Sequence, residues 1–211
     1  MSTGFKKLVV NHIAGHALLY AVVLSVFVLG VAGGSYAVRH LDAQQESELL
    51  DYLDVFLTGL NQWEMEPAVV AQHAVVNNLK IVFYIWFLGL TVIGVPLILL
   101  IIFFRGFVFG FTVGFLIQQK AMKGLLITLL AVVPPNIINL PAMMAGGVLA
   151  ISFSYWLVRG RIRVSGRSLL GQLGLYCTAM LAAALTMGAG GLLEAYVSPI
   201  FLQFVVSLSL A

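Results

Sequence analysis

The sequence predicts an all-α fold: a polytopic transmembrane helical bundle of about five to six spans, with a short half-helix and a Pro-broken helix pair among them. Two observations carry this. Hydrophobic residues fill 61% of the 211 positions and charged residues only 9%, a balance that leaves a soluble globule too little polar surface to cover itself. The apolar residues also fall in long runs without strand-like alternation. In lipid every backbone N–H and C=O needs an internal partner, and such runs meet that demand as helices rather than as a barrel. The whole chain, 1–211, reads as one integral membrane domain.

The first span is expected at Ala17–Val38, long enough at about 1.5 Å per residue to cross a hydrocarbon core of about 30 Å. Lys6 and Lys7 precede it, and its apolar stretch exceeds that of a secretory signal, so it reads as an uncleaved anchor. Residues 39–80 form the main hydrophilic segment, with Asp42, Glu46, Glu48, Asp51, Asp54, Glu64 and Glu66 and no Lys or Arg between its ends. Lys6, Lys7, Arg105, Lys120, Lys123, Arg159, Arg161, Arg163 and Arg167 all lie elsewhere, and the run Arg159 to Arg167 is the strongest cytoplasmic marker. The positive-inside rule therefore predicts a cytoplasmic N-terminus and an extracytoplasmic acidic loop.

A second span is expected over 81–104, bent by Gly94 and Pro96 and ending at Arg105. Too few residues separate Arg105 from Lys120 for a crossing, which predicts a half-helix over 106–118. Residues 124–158 are apolar but interrupted by Pro134, Pro135 and Pro141, the pattern of two helices joined by a turn containing Asn136 and Asn139. A span over 169–193 and a last segment over 196–211 complete the reading.

Within the acidic loop, Leu49, Leu53, Phe56, Leu57 and Leu60 fall on one stripe of an amphipathic helix, and a second short helix is expected over 67–78 from the first-turn Pro67. The stripe either packs on the protein's own spans or on the membrane surface, or docks a partner protein. Glu194, the one acidic residue outside the loop, and Tyr196 are the other candidate partner-binding residues. Gly106, Gly110 and Gly114 recur every four residues, as do Gly30 and Gly34; such rows let helices approach closely, within one chain or between copies.

Catalytic apparatus is not expected. The sequence holds no phosphate-binding Gly-Lys-Ser or Gly-Lys-Thr loop and no nucleophile–base arrangement, and it calls for no cofactor or metal. His12 and His16 have a two-ligand spacing without a third ligand nearby. Cys177 stands alone in an apolar run and reads as a small buried residue. The net charge of +3, thinly spread, argues against nucleic acid as a partner.

The acidic loop after the first span, GLTVIGVP at 89–96, RGFVFGFTVGF at 105–115, PPNIINLP at 134–141 and EAYVSP at 194–199 occur in this order along nearly the full chain. With them the sequence resembles the stage II sporulation protein M family of endospore-forming bacteria. The resemblance implies a membrane component of the engulfment machinery, itself no hydrolase. It would recruit and anchor two peptidoglycan hydrolases, stage II sporulation proteins D and P, at the septum while the mother-cell membrane migrates around the forespore. Membrane lipid and a homo-oligomer are further expected associations. Two other readings stay open on the residues alone. One is a channel or permease lined by Gln118, Gln119, Asn136 and Asn139. The other is a lipid-handling protein with a lateral opening between spans.

Overall fold

A row of glycines brings the first helix against the middle of the chain, and the bundle is arranged around that contact. The structure, a computed structural model, describes residues 15–61, 67–160 and 169–210. They form α1 (Ala17–Val38), α2 (Ala43–Asn61), α3 (Pro67–Gly89), α4 (Gly94–Ile127), a π-helical turn at Thr128–Val132, α5 (Val133–Gly160) and α6 (Leu169–Leu210), and no strand occurs among the described residues.

α1 and α4 run parallel: Gly106 lies on Phe27, Gly110 on Val31 and Gly114 on Ser35. A Cβ at Gly110 would strike the Val31 carbonyl, and one at Gly34 or Gly30 would strike the carbonyl of Phe107 or Phe103. Ser35 Oγ donates to the Gly110 carbonyl at 3.0 Å, so the contact is polar as well as close. The glycine row therefore packs within the chain. Beside it, Phe103, Phe107, Phe111 and Phe115 stack in a ladder with centroid spacings of 6.5, 6.4 and 6.2 Å.

α3 and α6 are antiparallel, pairing Trp86 with Tyr176, Asn78 with Met187 and Val75 with Gly191. α5 also runs against α6, with Gly146 by Met180 and Asn139 on Gly190. The buried centre consists of Val23, Ile85, Ile98, Ile102, Met143, Val148, Met180 and Met187. One end of the bundle carries the start of α1, the α3–α4 turn and the end of α5. The other carries α2.

Four helical stretches are long and apolar enough to cross a membrane: Ala17–Val38, Ala68–Gly89, Gly94–Val158 and Leu169–Phe201. The third doubles back. At Ala121 (φ 46°, ψ −119°) the backbone leaves the helix, Gly124 comes to lie on Leu116 and Ile117, and Gly147 meets Ile102. The described residues thus make five passes, α1, α3, both limbs of the doubled stretch, and α6.

The all-α membrane bundle and its number of passes agree with expectation, but the boundaries of the passes do not. The short helix expected over 67–78 and the span over 81–104 are replaced by one helix, Pro67–Gly89, and a turn at 90–93. This helix crosses despite its polar residues because Asn78 is buried with partners, while Gln72, His73, Asn77 and Lys80 share the exposed side. Gly94 does not bend a span; it starts α4, where a Cβ would collide with the Leu88 carbonyl, and Pro96 falls in the first turn. The half-helix expected over 106–118 is the continuation of α4.

Nor do Pro134, Pro135 and Pro141 divide their segment into a helix pair. The π-helical turn leads into Pro134 and Pro135, and the Ala131 carbonyl, which the missing N–H of Pro135 leaves free, accepts a 2.8 Å bond from Ser198 Oγ. Thr128 Oγ1 and Asn136 Nδ2 similarly serve the carbonyls of Gly124 and Val132, at 2.9 and 2.7 Å. The spans expected at 169–193 and 196–211 are one helix with Pro199 inside it.

Two outcomes test this arrangement. Gly110→Leu forces a side chain into the Val31 backbone and should lower stability by about 3 kcal/mol or prevent folding, whereas Gly174→Leu, with nothing within 4 Å of its Cβ, should melt like the parent in detergent. Ala121→Gly removes the strain of a positive φ and should raise stability by about 1 kcal/mol, with Ala121→Val moving the melting temperature the other way.

Candidate functional site

An arginine inside a membrane helix is costly unless its charge is met, so Arg105 sets the problem the site must solve. Arg105 stands eleven residues after Gly94, about 16 Å along α4 at helical rise, and it is half-buried. Sequence reading places it at the end of a span; the structure places it within one, because α4 begins at the 90–93 turn and passes through it. Its Nη2 donates to Asn78 Oδ1 at 3.1 Å, and Asn78 Nδ2 donates in turn to the Met187 carbonyl at 3.2 Å. Asn78 is 1% exposed, so one amide joins α3, α4 and α6 out of water.

Arg105 lines a cavity of about 490 Å³ at the α2 end of the bundle. α4 contributes Arg105, Val108, Phe109, Thr112 and Leu116; the opposite wall is Ile127, Ala131, Val132, Pro135 and Asn136, and α6 supplies Glu194, Ser198 and Pro199. The charges of Arg105 and Glu194 attract across this space. They do not close into an ion pair within 4.0 Å. Toward the other end the cavity stops at the packed centre around Ile98, Ile102 and Met187.

α2 covers the mouth. Leu53 reaches into the cavity wall, and Gln119 Nε2 donates to Glu46 Oε1 at 2.5 Å, fastening α2 to the far end of α4. Leu49 and Leu53 are half-buried; Phe56, Leu57 and Leu60 continue α2, and their side chains lie outside the described residues. On its other side α2 exposes Glu48, Asp51, Tyr52 and Val55.

The remaining candidates are scattered. Tyr196 is exposed on α6, while Gly30, Gly34, Gly106, Gly110 and Gly114 form the α1–α4 contact. Of the polar set expected to line a permeation path, Asn136 alone faces the cavity. Gln119 is committed to Glu46, Gln118 is exposed, and Asn139 is buried on Gly190 with neither amide atom hydrogen-bonded. Cys177 is half-buried between α3 and α6 beside Phe83 and Met180. His12 lies outside the described residues, and among those described no three metal-ligating side chains cluster.

Sequence reasoning missed Arg105 and Asn78 as a pair. The signal was present: an arginine with apolar residues on both flanks, and an asparagine in a segment otherwise apolar enough to cross. If Asn78 carries the inter-helix link, Asn78→Ala should destabilise the protein by about 1–3 kcal/mol, read as a lower melting temperature in detergent, because it strands the Arg105 guanidinium. Asn77→Ala, on the exposed side of α3, should leave the melt unchanged.

No curated protein and no solved structure matches the chain. A family model described as Stage II sporulation protein M matches residues 23–199, from α1 through Pro199 of α6, and so takes in the glycine contact, the cavity and α2. The chain belongs to the stage II sporulation protein M family and is a multi-pass, sporulation-related membrane protein.

Proposed function

We infer that this chain is a non-catalytic membrane scaffold of the engulfment machinery, which recruits and anchors the septal peptidoglycan hydrolases, stage II sporulation proteins D and P. The observation that carries the reading is the two-sided α2. Its Leu49–Leu53 side turns toward the bundle, and its opposite side leaves Tyr52 76% and Val55 72% exposed between the carboxylates of Glu48 and Asp51. An aromatic with an aliphatic neighbour and an acidic rim is the composition of a small protein-docking patch. Tyr196 is exposed toward the same end of α6.

The orientation that goes with this reading has α2 on the extracytoplasmic side, where wall hydrolases work, and the N-terminus in the cytoplasm. Charge supports it: in the sequence Lys6 and Lys7 precede α1, and the run Arg159, Arg161, Arg163, Arg167 closes α5 and follows it, while α1 starts and α5 ends at the end of the bundle opposite α2. Lys120 and Lys123, counted from the sequence among the cytoplasmic charges, border the Ala121 bend at the α2 end instead, so the charge bias comes from the clusters before α1 and after α5. In this arrangement the septum and the engulfing mother-cell membrane are the sites of action.

The test is retention of the two hydrolases on the full-length protein solubilised from sporulating cells. Tyr52→Ala with Val55→Ser should cut retention at least about tenfold, which corresponds to 1.4 kcal/mol, with insertion and melting temperature unchanged. Full retention by the double variant would remove α2 as the docking face, and loss of both hydrolases from the wild-type preparation would overturn the scaffold.

A further inference from the structure

The cavity under α2 holds two opposite charges that the protein leaves incompletely paired. Among the described residues Arg105 donates to Asn78 alone, although a guanidinium has five N–H donors, and Glu194 accepts no hydrogen bond from any of them. The walls around them are largely apolar, with Thr112, Asn136 and Ser198 the other polar contributors. Val108 is more than half exposed on the lateral surface of α4, so one wall of the cavity opens sideways rather than only toward α2.

These surroundings restrict what fits. An anion would gain from Arg105 and lose to Glu194, and a cation would do the reverse. An uncharged molecule would leave both charges unmatched among apolar walls, at a cost that rises steeply as water is displaced. A molecule with an oxyanion and an ammonium on a short linker meets both charges together, with charge-assisted hydrogen bonds at each.

We propose that the Arg105–Glu194 cavity is a binding site for a zwitterion carrying a phosphate-type oxyanion and a primary ammonium, the chemistry of a phosphoethanolamine group. The oxyanion lies on Arg105, which Asn78 holds in place, and the ammonium lies on Glu194. The sideways opening at Val108 and the apolar walls suit a phosphatidylethanolamine headgroup with its chains leading out toward the bilayer; free phosphoethanolamine has the same two charges without the chains. The site is distinct from the outward face of α2 and does not depend on the scaffold reading.

The experiment measures lipid retained by the full-length protein after exchange in detergent with short-chain phosphatidylethanolamine or phosphatidylglycerol, read by native mass spectrometry. Wild type should hold phosphatidylethanolamine at least tenfold better than phosphatidylglycerol, a lipid with the phosphate and no ammonium. Glu194→Gln should reverse or erase that preference, and Arg105→Gln should weaken both lipids. Glu194→Gln removes the charge that attracts Arg105 and keeps the shape of the side chain, so a cooperative melt in detergent is the check that this variant folds. Thr112→Phe, which fills the cavity and keeps both charges, should also abolish retention.

Competition by free phosphoethanolamine at millimolar concentration would assign the same site to a soluble zwitterion, and its failure to compete would assign it to the lipid. Equal retention of the two lipids by wild type, or a preference that Glu194→Gln leaves intact, would overturn the proposal.

Discussion

The close approach of α1 and α4 is the contact on which the rest of the structure depends. With Gly30, Gly34, Gly106 and Gly110 at the crossing, backbone lies against backbone and no larger residue fits. In lipid, where apolar burial gives little drive for association between helices, such packing and the bond from Ser35 are what bring helices together. The contact is parallel, so the chain must return between α1 and α4. α3 makes that return, the 90–93 turn follows, and α4 starts at the same end as α1. Arg105 then falls within the bundle rather than at its edge.

From there the two ends diverge. At the end holding the 90–93 turn, Ser154 Oγ donates to the Thr91 carbonyl at 3.0 Å, Tyr176 donates to the Trp86 carbonyl at 2.9 Å, and Tyr176 stacks on Phe153 with centroids 4.4 Å apart. Gly89 leaves room for the Tyr176 hydroxyl. At the α2 end the helices separate around a cavity, and irregular backbone is kept viable by side chains, Ser198 for the carbonyl opposite Pro135 and Asn136 for that of Val132. One end is tied; the other surrounds the cavity.

α2 has two unlike sides. Its inner side supplies Leu53 to the cavity, and its outer side presents Tyr52 and Val55. Both sides belong to one helix, held to α4 through Gln119 and Glu46.

The class of protein was legible in the sequence alone: an apolar content of 61% in unbroken runs requires membrane helices. Ala17–Val38 was legible for the same reason, and the leucine stripe announced the amphipathic helix in the acidic segment. The division of the remaining chain was not. Hydropathy sums each residue's preference along the chain, so Asn78, Arg105 and the prolines count as breaks wherever they stand. Whether they break anything depends on partners far away in sequence: Asn78 meets Arg105 across 27 residues and Met187 across 109, and the carbonyl opposite Pro135 meets Ser198 across 67 from Ala131. The tertiary structure alone decides that α3 crosses, that α4 carries an arginine inside the bundle and that Glu194 shares its cavity, because only packing brings the compensating groups within hydrogen-bond or charge range.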